Sequence, residues 1–401
     1  MGDPRTTPEK SYLALCREEP FRIFFPLGVL AGISGVSLWP LYFTGIHQFY
    51  PGIMHARLMI EGFMGAFVIG FLGTAGPRLT GTAHFSRTEL WSLLLLFGAT
   101  IGTHIGENYF AGDLLFLALL LLFAARMSAR FSRRTDLPPP TFALVAFAFV
   151  NAIAATILLI AGAIGSGSPR CTQLGMLLLY QGFVLYLVLG IGGFLLPRFL
   201  VLPAKPELPE TREITAQWGR RALFALAIGL VLLASFVVEV FTIAPRMAAL
   251  MRFLAAATFL ASEIPLHRSA ARRVTLTRAL RLALILLVLG LFFPVLWPWQ
   301  RVAGLHLVFI GGFTLVAFTV ATRVVLGHTG QGHLVAEPLR FLRATTALLL
   351  IGAAFRISGD FFMESRGPLL NAASYAWIAA ALVWSWRVLR RVRVPDETTE
   401  T

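Results

Sequence analysis

The chain has 401 residues, of which 57% are hydrophobic and 13% charged, and its mean hydropathy is +0.75. A soluble domain carries roughly 25% charged residues, so the composition excludes a large soluble domain and indicates a protein embedded in a lipid bilayer. The net charge of +14 first suggests a nucleic-acid partner. The basic residues fall in short loops between apolar segments, however, and this excludes a continuous basic surface for nucleic acid.

Twelve apolar segments are each long enough to cross about 30 Å of hydrocarbon as a helix. Helices are expected because backbone amides in lipid must form their hydrogen bonds internally. In chain order the predicted helices are 21–45, 53–76, 89–107, 112–130, 141–165, 172–196, 219–241, 244–264, 279–297, 302–326, 340–358 and 367–389. The predicted fold class is therefore an all-α membrane protein with about twelve transmembrane helices.

The segments outside these helices are short. We predict a cytoplasmic N-terminal segment over 1–20, a transmembrane domain over 21–391 and a cytoplasmic tail over 392–401. The first apolar segment is longer than the apolar core of a signal peptide, so we expect it to be retained as a helix. Cys16 and Cys171 fall on opposite sides of the membrane in this topology and are not expected to pair.

The basic residues alternate in density from one connection to the next. Of the 34 basic residues, 27 lie in the terminal segments and in every second loop. Only four lie in the intervening loops, namely Arg170, Arg246, Arg301 and Arg366. Basic residues concentrate on the cytoplasmic side of a membrane, so both termini of this inner-membrane protein are predicted to be cytoplasmic.

This topology sorts the histidines by side. His47, His55, His104 and His306 lie near the outer face, whereas His84, His267, His328 and His333 lie in or beside cytoplasmic loops. Imidazole is a good ligand for iron, copper and zinc, and two histidines on separate helices can hold a b-type haem. The alternative is that histidines at helix ends simply lie among the lipid headgroups.

The second predicted helix carries a further polar group. Arg57 and Glu61 are four residues apart, so they share a helix face and can pair. His55 and Arg57 are separated by about 200° around the helix and do not share a face. Arg57 can instead extend to the outer interface or neutralise a carboxylate such as a haem propionate. Glu239 and Glu263, on the seventh and eighth helices, are expected to form hydrogen bonds between helices.

Several stretches resemble the NnrS family of bacterial membrane proteins. They are 54–59 (MHARLM), 62–63 (GF), 70–75 (GFLGTA) and 80–81 (TG) around the second helix, 192–197 (GGFLLP) in the sixth, and His306, 311–312 (GG), 322–323 (TR) and 326–330 (LGHTG) around the tenth. The Gly-His-Thr-Gly motif is the most specific of these. With the matching topology, the resemblance spans most of the chain.

The resemblance implies a haem- and copper-containing protein linked to nitric oxide stress and denitrification. His55 matches the first histidine of the family's Trp-His-Ala-His-Glu-Met segment, and His306 and His328 match histidines of the tenth-helix region. The chain departs from the family where Arg57 stands for the second histidine and Leu58 for the glutamate. Arginine keeps its proton and cannot ligate a metal, so haem is expected more firmly than copper.

Haem–copper oxidase catalytic subunits offer an architectural analogy, because they hold a low-spin haem between histidines on their second and tenth helices. His55 and His306 lie on the corresponding helices here. The copper-binding histidines expected on the sixth and seventh helices are absent from this sequence. The analogy therefore implies a low-spin haem site without an oxygen- or NO-reducing centre.

The sequence leads to one main hypothesis and two alternatives. The main hypothesis is a b-type haem near the outer face, with His55 and His306 as axial ligands, Arg57 near a propionate, and His104 as a third ligand, a partner of a ligand or a copper ligand. Such a protein would bind or remove nitric oxide, or exchange electrons with a redox partner. Glu61, Arg323 and His328 are further site candidates, although Arg323 and His328 would also complement the C-terminal dipole of the tenth helix.

The first alternative is a secondary transporter of two six-helix halves, although no clear similarity between the halves is found. The second is a non-catalytic subunit of a respiratory complex. The catalytic residues, the oligomeric state and the identity of any partner protein are left open by the sequence.

Overall fold

The structure, a computed structural model, describes residues 11–134, 136–202, 213–266 and 274–395. These residues form helices and no strand. Twelve long helices follow a short one, Tyr12–Glu18. They are α1 (Phe21–Phe43), α2 (Gly52–Thr80), α3 (Arg87–Ile105), α4 (Tyr109–Phe131), α5 (Pro140–Ala163), α6 (Pro169–Phe199), α7 (Ala216–Phe241), α8 (Pro245–Glu263), α9 (Thr275–Leu296), α10 (Pro298–Gly327), α11 (Arg340–Phe361) and α12 (Met363–Arg391).

The protein is an all-α membrane protein, as predicted. Within the described residues, ten of the twelve helices are long and apolar enough to cross a membrane. The other two, α3 and α8, have 19 residues each, which at 1.5 Å per residue gives roughly 28 Å, close to the thickness of a bilayer core. Each of the twelve predicted helices has a counterpart in the structure, and no boundary differs by more than four residues.

Some predictions concern residues outside the described ranges. They are the ends 1–10 and 396–401 of the predicted terminal segments, part of the long polar connection near 197–220, His267, and the basic residues Arg5, Lys10, Lys205, Arg212, Arg268, Arg272 and Arg273. Cys16 and Cys171 are both described and do not form a disulfide, as the topology predicts.

Helices α2, α6 and α10 form the centre of the bundle and are the most buried of the ten apolar helices. Together with Phe25 of α1 they line an apolar cavity of about 110 Å³. Below the outer ends of α2 and α10, Phe63 and Phe67 pack against Phe318 with ring centroids 5.7 and 6.0 Å apart. Trp384 of α12 stacks on Phe318 at 4.6 Å. These contacts bring the second and tenth helices side by side.

The three central helices share a local irregularity. Each contains a π-helical segment in its outer half, over Leu58–Met64, Leu178–Phe183 and Leu307–Thr314. Each segment contains a Gly-Phe pair, at 62–63, 182–183 and 312–313. The three helices that carry this feature are spaced four helices apart along the chain.

The described N-terminal and C-terminal parts meet at one end of the bundle. The buried Arg22 guanidinium donates to the carbonyl oxygens of Val392 and Val394, at 2.7 Å each, and to that of His328 at 2.9 Å. Both ends of the described chain therefore lie on the same face, as an even number of spans requires. Following the predicted orientation, we call this end the inner face and the opposite end the outer face.

His328 and Arg323 lie at this inner face. The His328 backbone N–H donates to Val324 O at 3.0 Å, and so ends α10, while its ring Nδ1 lies 2.6 Å from Glu19 Oε1. Arg323 lies over the Phe199 ring at 5.6 Å. His328 therefore joins α10 to the N-terminal segment, and Arg323 joins α10 to the end of α6.

Glu19 should make the inner face sensitive to acid. Burial alone would raise the pKa of Glu19, but the hydrogen bonds and charges of His328 and Arg22 outweigh it and hold that pKa below its usual 4.5. A carboxylate with a lowered pKa stabilises the fold above its ordinary pKa, and this stabilisation is lost as the pH falls through the lower native value. We expect Glu19→Gln to destabilise the protein by about 1–3 kcal/mol at pH 7.

The measurement is the unfolding of both proteins in detergent between pH 7 and pH 3. The difference in stability should be constant down to about pH 4.5, the usual pKa of the side chain, and should shrink below that. A difference that persists unchanged to pH 3 would contradict this role of the ionised carboxylate.

Candidate functional site

His55 and His306 lie at the outer ends of α2 and α10, each next to a π-helical segment. His55 Nδ1 is 2.9 Å from Gly35 O of α1, and His306 Nδ1 is 2.8 Å from Val302 O. A carbonyl oxygen only accepts, so Nδ1 carries the proton in each neutral ring and Nε2 keeps its lone pair. Both side chains are partly exposed. The site thus offers two neutral Nε2 donors.

The contact between α1 and α2 explains how Gly35 reaches His55. A Cβ at Gly35 would lie 2.9 Å from the Leu58 Cβ, so only glycine allows this approach. Trp39, one turn further along α1, lies edge-on to the His55 ring at 5.8 Å. Helix α1 therefore fixes both the tautomer and the orientation of His55.

One cation lies near both histidines. Arg356 of α11 is within electrostatic reach of His55 and of His306, and His306 is within reach of His55. Arg356 Nη1 is 2.9 Å from Asp360 Oδ1 on the same helix, and Arg366 at the start of α12 lies 3.7 Å from the same oxygen. The histidine pair therefore has a partly neutralised, net positive neighbourhood on its α11 side.

A second site lies on the other face of α2 and contains four ionisable residues, Arg57, Glu61, His104 and Asp113, which we call the buried quartet. Arg57 Nη1 donates to Glu61 Oε1 at 3.0 Å, and Nη2 donates to Asp113 Oδ2 at 2.8 Å. His104 Nε2 lies 2.8 Å from Glu61 Oε2. All four side chains are at most 5% exposed. The quartet thus links α2, α3 and α4.

Three polar atoms of the buried quartet have no hydrogen-bond partner among the described residues. They are Arg57 Nε, His104 Nδ1 and Asp113 Oδ1. Buried polar atoms normally have a partner, so the quartet has binding capacity that its own members leave unused. The Arg57 guanidinium also faces the Tyr180 ring of α6 at 5.7 Å, which brings the quartet to the edge of the central helices.

Gly112 makes room for the His104 ring. A Cβ at this position would lie 2.3 Å from His104 Cε1 and 2.4 Å from Nδ1. Because a buried ring cannot move far in a packed interior, we expect Gly112→Ala to destabilise the protein by about 1–3 kcal/mol. The measurement is denaturant unfolding in detergent.

Gly98→Ala is the matched control, because Gly98 lies in α3 with open space around its Cα. Alanine there should be neutral or stabilising by up to about 1 kcal/mol. Equal stability of the two variants would show that His104 is not held against Gly112.

A third polar cluster lies between α6, α7 and α8. The buried Arg252 donates to Ser235 Oγ at 3.2 Å, to Gln181 Oε1 at 3.1 Å and to Glu239 Oε2 at 2.6 Å. Arg301 Nη1 donates to the second oxygen of Glu239 at 3.2 Å. Elsewhere between α7 and α8, Arg221 Nη2 donates to Glu263 Oε2 at 2.7 Å. Glu239 and Glu263 therefore form the interhelical hydrogen bonds predicted for them.

Sequence reasoning identified some of these groups and missed others. The i, i+4 spacing of Arg57 and Glu61 predicts the ion pair that the structure contains. The structure gives Arg57 a second carboxylate, Asp113, which the sequence analysis overlooked. A signal was available, since Asp113 is the only acidic residue in the apolar α4. The positions of Tyr180 and Arg356 relative to the histidines and the quartet had no sequence signal.

The fold and these sites define a class of protein, a multi-pass α-helical membrane protein with two available imidazoles near one face and a buried ionic cluster beside them. Residues 16–394 match the family profile described as NnrS protein. The chain therefore belongs to the NnrS family, whose members are membrane proteins associated with the response to nitric oxide. No curated protein gives a significant match to the chain.

Proposed function

We propose that this protein binds one b-type haem near the outer face of the bacterial cytoplasmic membrane and acts through it in the response to nitric oxide. His55 and His306 would hold its iron. The observation that carries the proposal is the shared state of the two rings, in which each Nδ1 donates to a backbone carbonyl and leaves Nε2 for the metal. This second hydrogen bond is typical of histidines that ligate metals.

The surroundings of the two histidines also suit a haem. Trp39 and Phe309 pack edge-on against the rings of His55 and His306, at 5.8 and 6.0 Å, which provides apolar walls for a porphyrin. A haem also carries two propionates that need cationic partners. Arg356 is the better candidate for this role, because it lies near both histidines. Arg57, proposed for it from the sequence, is already engaged with Glu61 and Asp113.

A bound haem would supply an iron that exchanges electrons or binds nitric oxide. The protein's own part is to hold two neutral imidazoles, exclude bulk water with aromatic side chains, and supply positive charge on one side. Two histidine ligands from the protein would favour electron transfer, whereas a single histidine ligand would favour binding of nitric oxide.

The residues present do not suit copper. Copper is held preferentially by imidazole and sulfur ligands. The buried quartet, which contains the copper candidate His104, offers one imidazole and two carboxylates with a guanidinium between them. We therefore assign no role to copper in the proposed function.

The decisive test is a reduced-minus-oxidised absorption spectrum of the detergent-purified protein, with metal analysis of the same sample. Sharp b-type bands and about one iron per chain are expected, without stoichiometric copper. Titration with nitric oxide then separates gas binding, which shifts the bands, from electron transfer alone, which leaves them unchanged. A colourless, iron-free protein from haem-replete cells would overturn the proposal.

A further inference from the structure

The buried quartet has the composition of a metal site. Glu61, His104 and Asp113 each offer one ligand atom, and these atoms all lie within 4.8 Å of one another. The three residues come from three different helices, α2, α3 and α4, and are at most 1% exposed. One imidazole and two carboxylates form a ligand set that suits a divalent cation such as zinc.

The place of a cation is already taken by Arg57. Its guanidinium donates to Glu61 at 3.0 Å and to Asp113 at 2.8 Å, and so supplies the positive charge that two buried carboxylates require. With His104 neutral, the four side chains carry one net negative charge. Adding a divalent cation would reverse that sign and place the ion against a fixed guanidinium in a medium of low dielectric constant, which is strongly unfavourable.

Two polar atoms of these three residues nevertheless lack a partner. His104 Nδ1 and Asp113 Oδ1 are fully buried and have no partner among the described residues. His104 Nδ1 lies against Gly112, so Nε2, which is 2.8 Å from Glu61 Oε2, is the nitrogen placed to bind a cation. The three ligand side chains therefore converge, while the guanidinium satisfies only one oxygen of each carboxylate.

We infer that the buried quartet is a divalent-cation site in which the Arg57 guanidinium stands in for the ion. The natural protein excludes metal from it, and removal of the guanidinium opens it to zinc, bound by Glu61, His104 and Asp113. Zinc ligands lie about 2.0–2.2 Å from the ion. In a tetrahedral site the three ligand atoms would lie about 3.4 Å from one another. The widest of the present spacings, up to 4.8 Å, would then shorten by up to about 1.4 Å, and water would complete the coordination.

The test is zinc analysis of the full-length protein after equilibration with Zn²⁺ and removal of free ion. We expect wild type and Arg57→Lys to retain only background zinc, and Arg57→Ala to retain about one additional zinc per chain. The double variant Arg57→Ala/His104→Ala should return to background, which separates this site from any zinc bound by other histidines.

Arg252→Ala provides a matched control, because it also removes a buried arginine from a polar cluster. The residues left behind, Gln181, Ser235 and Glu239, include only one strong zinc ligand, so no zinc should be gained.

Monodisperse elution and native helical content establish that each variant is folded. Arg57→Gln, which keeps a similar length without charge, serves if Arg57→Ala does not fold. The unfolding temperature of the Arg57→Gln protein should then rise with added zinc, whereas that of wild type should not.

Two results would overturn the inference. One is a wild-type protein that retains stoichiometric zinc and loses it in His104→Ala, because the ion and the guanidinium would then coexist. The other is a folded Arg57→Ala or Arg57→Gln protein that gains no zinc. Neither result depends on haem content, so this inference and the proposed function can fail independently.

Discussion

Replacing His55 or His306 with alanine should abolish haem retention in the purified protein. Each substitution removes one of the two proposed Nε2 donors, and a b-type haem has no covalent attachment to the chain. The expected result for both variants is a loss of the b-type bands and of iron, measured against protein concentration. Full haem content in both variants would rule out these residues as ligands.

His47→Ala is the matched control, since His47 lies in the outer loop between α1 and α2 and its ring packs only loosely against Phe49, at 6.5 Å. It should retain wild-type haem. Free imidazole should partly restore haem binding to His55→Ala and His306→Ala, because it can occupy the vacated space beside the iron. A variant that is merely misfolded would not respond to imidazole, so this rescue separates loss of a ligand from loss of structure.

Arg252→Ala should cause a large loss of stability. The side chain is 5% exposed and satisfies polar atoms on α6 and α7, including a Glu239 carboxylate that is itself 9% exposed. Breaking a buried ion pair by removing one partner costs about 3–5 kcal/mol. Glu239 keeps Arg301, a partner that is 48% exposed, so we expect the loss to lie at the lower end of that range. Denaturant unfolding in detergent, followed by helical content, measures the loss.

Two further variants make this prediction specific. Arg246→Ala removes an exposed arginine from the same helix and should change stability by no more than about 0.5 kcal/mol. The double variant Arg252→Ala/Glu239→Gln should recover part of the loss, because it removes the buried carboxylate that has lost its nearer cation. Equal losses in Arg252→Ala and Arg246→Ala would contradict the role of the cluster in stability.

The sequence was sufficient to predict the architecture and the pairing of Arg57 with Glu61. Apolar segments of membrane-spanning length located the twelve helices. The topology then placed His55, His104 and His306 toward one face, and the helical period predicted that Arg57 would pair with Glu61 and lie away from His55. These predictions depend on local periodicity and charge, which a single sequence contains.

The partners contributed by distant helices could not be predicted in this way. Asp113 meets Arg57 across 56 residues, and Arg356 comes within electrostatic reach of His55 across about 300 residues. Both placements depend on how helices are rotated about their axes. The π-helical segments alter that rotation, and the Gly-Phe pair that each contains does not by itself predict a π turn. The sequence therefore identified candidate residues but could not assign them to separate sites, and it attributed Arg57 to the histidine pair.

The π-helical segments of α2 and α10 affect how the outer face of this protein can evolve. A π turn contains one residue more than the α-helical turn it replaces, and each additional residue rotates everything beyond it by about 100°. The outer ends that carry His55 and His306 are thus oriented by Leu58–Met64 and Leu307–Thr314, independently of the tightly packed inner halves. A single insertion or deletion within such a segment could redirect an imidazole and leave the inner packing unchanged. This architecture lets evolution exchange one chemistry for another at the outer face without rebuilding the bundle.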